Sequence, residues 1–168
     1  FYGANHLKTA LSLNSLGILY EQIGNYEKAE YYFLRCLNIW TSAHGEMDLD
    51  VADACNNLGA LYIEWGKPAM AEPYLLKNLK IRTSLLGPHH IQTGVGYLNL
   101  GNFYYVKHQY ERAGLLLSLA LEIYSEKLGP AHPELIDPYN NLAAVYRETG
   151  KPEKADSLYR LVLSLIKS

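Results

Sequence analysis

An all-α fold, a right-handed solenoid of stacked helical hairpins, is what this sequence predicts, and three observations predict it. The first is a strict 42-residue period. Leu16-Gly17, Leu58-Gly59, Leu100-Gly101 and Leu142-Ala143 recur in step with Tyr20, Tyr62, Tyr104 and Tyr146, and with Ala29, Ala71, Ala113 and Ala155. Four such periods fill the 168 residues without an insertion. The second is spacing within a period: Leu13, Leu16, Gly17 and Tyr20 fall three and four residues apart, one face of a helix, and strand alternation is absent. The third is punctuation by Gly and Pro, which splits each period into two helices. One hairpin cannot bury both of its faces, so neighbouring units must stack. The expected product is about eight helices in four repeats, with a concave and a convex side.

The elements follow in order. In the first hairpin the face carrying Leu16, Gly17 and Tyr20 points into the stack, Gly24-Asn25-Tyr26 makes the turn, and the second helix packs through Ala29, Phe33, Cys36 and Leu37 as far as Gly45. The second hairpin begins around Leu49, turns at Gly66-Lys67-Pro68, returns through Ala71, Leu75, Asn78 and Leu79, and stops at Gly87. The third carries Gly94 and Gly96 where the second has Ala52 and Ala54, a local softening at a cost of roughly 1 kcal/mol each. In the fourth, Pro133 and Pro138 cannot both lie inside a regular helix, and Asp137 is suited to cap a helix with Pro138 at its first position, so the inner helix is expected to start or kink at Asp137. A turn at Gly150-Lys151-Pro152 opens a last helix rich in Leu and Val.

Leu-Gly, Tyr three residues on, then Gly, then Ala five residues later resembles the tetratricopeptide repeat. The usual unit has about 34 residues, so eight more lengthen each helix by about a turn. The 42-residue length, the Asn-Asn-Leu-Gly and Asn-Asn-Leu-Ala openings, and the linker Leu128-Gly129-Pro130-Ala131-His132-Pro133 resemble the kinesin light chain type over essentially the whole chain. Taken as one domain over 1–168, the repeats run 14–55, 56–97, 98–139 and 140–168, with 1–13 completing the boundary to a preceding repeat. Phe1 is not an initiator Met, so the chain reads as part of a longer array. The resemblance implies peptide or protein binding in the concave groove, with no catalysis and no cofactor, and Asn side chains that hold ligand backbone.

Helix geometry names the groove residues. Opposite the Leu16, Gly17 and Tyr20 face lie positions 11, 14, 15, 18, 21 and 22 and their equivalents 42 residues apart. This stripe holds Asn14, Asn56, Asn57, Asn99, Asn102, Asn140 and Asn141, seven of the eleven Asn, where an even spread would place fewer than two. Asn is a poor helix former, and its amide can both donate to and accept from a peptide bond. The same residues can instead brace neighbouring helices, and both readings stand. Glu21, Asp53, Glu64, Asp137 and Glu148 face a single Arg147 on the stripe, a balance of −4, which selects a neutral or basic segment. Glu64 and Glu148 are the expected partners of basic flanks. The third repeat's stripe is uncharged: Val95, Leu98 and Tyr105, with Val106, form either a pocket for an anchor side chain or a contact with a folded-over segment.

Composition excludes several other classes. A net charge of −2 offers no reach toward nucleic acid or anionic lipid. The longest apolar run, 113–121, is far short of a roughly 20-residue membrane span, so no membrane partner is expected and the location is cytoplasmic. Cys36 and Cys55 replace small or apolar repeat positions and read as buried thiols. No phosphate loop, zinc helix or nucleophile elbow is present, and His89, His90 and His132 lie one repeat apart, roughly 10 Å and too far to share a metal. The apolar final helix leaves self-association through the array ends open. The alternative function is therefore a structural or oligomerising spacer within a larger signalling or motor-adaptor protein.

Overall fold

The computed structural model describes residues 7–166, and every regular element among them is helical. The chain divides between Leu85 and Leu86 into two compact units. The first unit contains α1 (Leu7–Gln22), α2 (Tyr26–His44), α3 (Leu49–Glu64) and α4 (Pro68–Leu86), whose last residue lies just past the division. The second contains α5 (Ile91–Val106), α6 (Tyr110–Leu128), a 3-10 turn (Pro133–Leu135), α7 (Ile136–Glu148) and α8 (Pro152–Ile166). Hairpins thus open at Leu7, Leu49, Ile91 and Pro133, 42 residues apart, which places the repeat origins 14, 56, 98 and 140 inside the first helix of each pair.

Each boundary has a local cause. Asn25 caps α2 by accepting from the Lys28 N–H at 3.2 Å, and Asp48 caps α3 by accepting from Asp50 N–H at 2.9 Å. His90 and His132 occupy the position of Asp48 one and two repeats later, and each accepts a backbone N–H through Nδ1 at 3.2 Å. The turns inside the hairpins need a left-handed residue. Gly24, Gly66 and Gly150 supply it at φ of 74°, 72° and 68°, but the third turn places His108 there at φ 56°.

In the second and third hairpins the two helices approach closely enough to leave no room for a Cβ. A Cβ on Gly59 would lie 2.5 Å from Leu75 Cδ2, and one on Gly101 2.8 Å from Leu117 Cγ. The same closeness bears on Gly94, where a Cβ would meet Ile123 at 3.2 Å, and α5 runs through it as one unbroken helix. The first unit's core gathers Leu13, Cys36, Ile39, Val51, Cys55 and Ile81. The second unit's core joins Tyr124, Leu135, Tyr139 and Val162, with Val95 and Ile136 packed against them.

Two expectations need correction. Leu58, Leu100 and Leu142 are buried as the period requires, but Leu16 is 37 % exposed, because no described helix precedes α1 to cover it. The fourth inner helix starts at Ile136, one residue before Asp137, behind the 3-10 turn that absorbs Pro133. Asp137 is therefore a first-turn acid and caps nothing; the cap position is Leu135, which makes no side-chain bond. Pro138 falls at the third helical residue, where the missing N–H had no intrahelical partner to lose.

Candidate functional site

The first helix of each hairpin, α1 and α3 in one unit and α5 and α7 in the other, carries the stripe, and none of its residues is fully buried. In the first unit the stripe is bonded to itself. Asn57 donates through Nδ2 to Asn14 Oδ1 at 2.8 Å, tying α3 to α1. Asn56 accepts from Asn78 Nδ2 at 3.2 Å, Asn78 in turn accepts from Arg82 Nε at 2.7 Å, and Arg82 forms an ion pair with Asp53. Asn78 is wholly buried and Arg82 nearly so, so the network braces α4 against α3. Asn78 and Arg82 were missing from the sequence-derived site. The available signal was a polar residue at a position that elsewhere holds Cys36, Ala120 and Val162.

The charge of the stripe changes accordingly. Arg82 neutralises Asp53, and Arg147 donates from Nη2 to Glu148 at 2.9 Å. The acid left over in the first unit is Glu21 beside Glu64. Burial, helped by the Glu64 charge, pushes the Glu21 carboxyl from 4.5 up to about 7. One of its oxygens, Oε1, is buried without a hydrogen bond.

The second unit differs. Position 98 is Leu where the first unit has Asn14, so Asn141, the equivalent of Asn57, has no amide opposite it. Asn102, Asn140 and Asn141 are half-buried and form no side-chain hydrogen bond among the described residues. Asn99 and Leu98 are half-buried beside them on α5. Val95 packs into the core and offers little to a ligand. The Tyr105 ring rests 5.7 Å from that of Tyr110 on α6.

Cys36 and Cys55 are buried free thiols, each pushed by burial to about 11, which leaves them protonated and unreactive near neutrality. Three metal-ligating side chains converge at one place among the described residues, the α2–α3 junction. There His44 Nδ1 lies 3.4 Å from Asp48 and 3.6 Å from Asp50, and Asp48 already serves as the cap of α3. No described helix is long and apolar enough to cross a membrane.

Two tetratricopeptide repeat models match the chain, one over residues 1–42 and 92–168 and the other over 51–92. No curated protein matches it by sequence. Among solved structures, BtubC (BKLC) from P. vanneervenii superposes with a TM-score of 0.85 at 26 % identity, covering 94 % of this chain and 63 % of its own. The nearly identical TPR-like repeats assigned to a kinesin light chain in Podosopora anserina give 0.84 at 21 % identity, covering 95 % and 76 %. PilF of Pseudomonas aeruginosa gives 0.72 at 25 % identity, covering 94 % and 61 %. The chain thus spans less than two thirds of BtubC and of PilF.

Proposed function

Given that the chain belongs to the tetratricopeptide repeat family, we propose that it is a protein–protein interaction module that takes an extended peptide segment of a partner along its inner-helix face. The observation that carries this reading is the unpaired amides of Asn102, Asn140 and Asn141, half-buried on a helical face where propensity disfavours Asn. A peptide bond offers each amide both a donor and an acceptor. Leu98 and Tyr105 flank these amides and would receive an apolar anchor, with Val95 supplying only the floor. Glu64, exposed on the first unit's stripe, favours a neutral or basic segment there. In the first unit, Asn14, Asn56 and Asn57 brace helices and take part in binding only by exchanging existing bonds.

The test is a peptide array probed with the 168-residue chain, followed by affinity and melting measurements on Asn141→Ala and Asn102→Ala. At least a tenfold loss of affinity with unchanged melting supports the groove. Unchanged affinity with lower melting would make these amides structural. A second reading, an oligomerising spacer, draws on Leu11 and Ile23 of α1 and Ile166 of α8, which are 58 %, 64 % and 65 % exposed. It requires self-association that grows with concentration in sedimentation.

A further inference from the structure

The repeat supplies its own control for an open cleft of about 460 Å³ in the second unit, where the start of α6 faces the end of α7. Tyr110, Gly114, Leu115, Tyr146, Thr149 and Lys151 line it. Two periods earlier the same positions hold Tyr26, Glu30, Tyr31, Tyr62, Trp65 and Lys67. There the space is filled. The Trp65 indole lies parallel to the Tyr62 ring at 6.4 Å and 4°, sits 6.0 Å from Tyr26, and carries the Lys67 ammonium 3.1 Å above its centroid. Glu30 closes the back of that cluster by accepting from the Tyr62 hydroxyl at 2.6 Å.

In the second unit two truncations remove the filling while the walls stay. Thr149 replaces the indole and folds onto its own helix, donating to the Val145 carbonyl at 2.8 Å. Gly114 replaces Glu30. Tyr110, Tyr146 and Lys151 remain in the places of Tyr26, Tyr62 and Lys67. Tyr110 is held from behind by His108, whose Nδ1 lies 2.8 Å from its hydroxyl. At the rim stands Leu115, 70 % exposed, the most exposed of the large apolar side chains described. Two tyrosine rings with Lys151 beside them and an apolar lip match an indole in shape and stacking, and Lys154, 5.6 Å above the Tyr146 ring, already marks that ring as a cation–π acceptor. Both tryptophans of this chain are engaged elsewhere, Trp40 in the first unit's core and Trp65 in its own cluster.

We propose that this cleft receives a tryptophan side chain of a partner protein, which takes the place Trp65 fills in the first unit. The cleft adjoins the proposed groove through the Tyr105–Tyr110 contact, but none of the unpaired Asn lines it, so the residues whose amides shift tell the two readings apart.

The probe is N-acetyl-tryptophanamide, titrated into the isotopically labelled 168-residue chain, with N-acetyl-alaninamide as control. The expected result is saturable amide shifts at Gly114, Val145 and Thr149, half-complete at a concentration on the order of 1 mM, as befits a single side chain, and none with the alanine analogue. Thr149→Trp, which supplies its own indole, is expected to melt higher than the parent and to bind the probe at least tenfold more weakly. Should that variant fail to fold, Tyr110→Ala, which removes the wall equivalent to Tyr26, must produce the same weakening. Absence of saturable shifts, shifts confined to Asn99, Asn102 and Asn141, or undiminished binding to the variant whose cleft is refilled would each overturn the proposal.

Discussion

The carboxyl of Glu21 should make the first unit less stable as pH rises, and Glu21→Gln should remove the effect. Its side chain lies half-buried on α1, with Oε1 sealed from water and from any donor, and with Glu64 nearby. Burial first, and the Glu64 charge second, raise it from 4.5 to about 7. At 1.36 kcal/mol per unit this shift would be worth about 3 kcal/mol in a fully enclosed site. The side chain is only half enclosed, so solvent screening reduces the figure to ~1 kcal/mol. The sign follows from proton binding. Below pH 4.5 both states are protonated and nothing is lost. Between 4.5 and about 7 the unfolded chain has released a proton that the native state keeps, so stability falls with rising pH and levels off above 7. Gln imitates the neutral carboxyl, so the variant should gain ~1 kcal/mol over the parent at pH 8 and nothing at pH 4. Urea unfolding of both chains at the two pH values, followed by circular dichroism, measures the difference, and titrations elsewhere cancel in the comparison. Equal gains at both values, or a loss at pH 8, would refute the reasoning.

Five further substitutions test the packing. His108→Gly places the residue used in the other three turns at φ 56° and should stabilise the second unit by ~1 kcal/mol in chemical denaturation, less a few tenths for the lost exposed contact with Tyr110. Asn78→Ala strips the buried Arg82 of its Nε acceptor and should cost ~2 kcal/mol by the same measurement, whereas Asn102→Ala on the exposed stripe should cost little. Gly59→Ala drives a methyl against Leu75 and should lower stability by ~1–3 kcal/mol, while Ala143→Gly in the fourth repeat, which already tolerates the methyl, should cost no more than ~1 kcal/mol in helix propensity.

The fold was legible because periodicity is a property of one chain read against itself. Leu58, Tyr62 and Ala71 announce a helix face by recurring, and their burial follows from that face. What happens on the opposite face was only half legible. The rule that positions 14, 56, 98 and 140 are equivalent says nothing about which side chains meet, because neighbouring helices touch at an offset set by how they pack. The bond between Asn14 and Asn57 spans 43 residues, one more than the period. A search along the period pairs Asn14 with Asn56 and misses it. Asn78 and Arg82 escaped for a related reason: they stand on α4, and their link to Asp53 and Asn56 arises from the depth at which α4 packs, which no spacing records.

The same logic shows where function can separate from structure in a repeated sequence. With the 43-residue offset known, the amide opposite Asn141 should come from position 98, and position 98 is Leu. Leu at that position gives Asn141 no counterpart of the Asn14–Asn57 bond, so that bond does not account for an amide there. The cleft beside Thr149 obeys the mirror image of this rule: Tyr110, Tyr146 and Lys151 were kept, and the indole they surround in the first unit was lost. In the first case the informative residue lacks the partner its repeat equivalent has, and in the second the rings lack the indole that theirs surround. Where the period holds on one side of a contact and breaks on the other, a partner's group has room to complete the contact, and the peptide and tryptophan proposals both place it there.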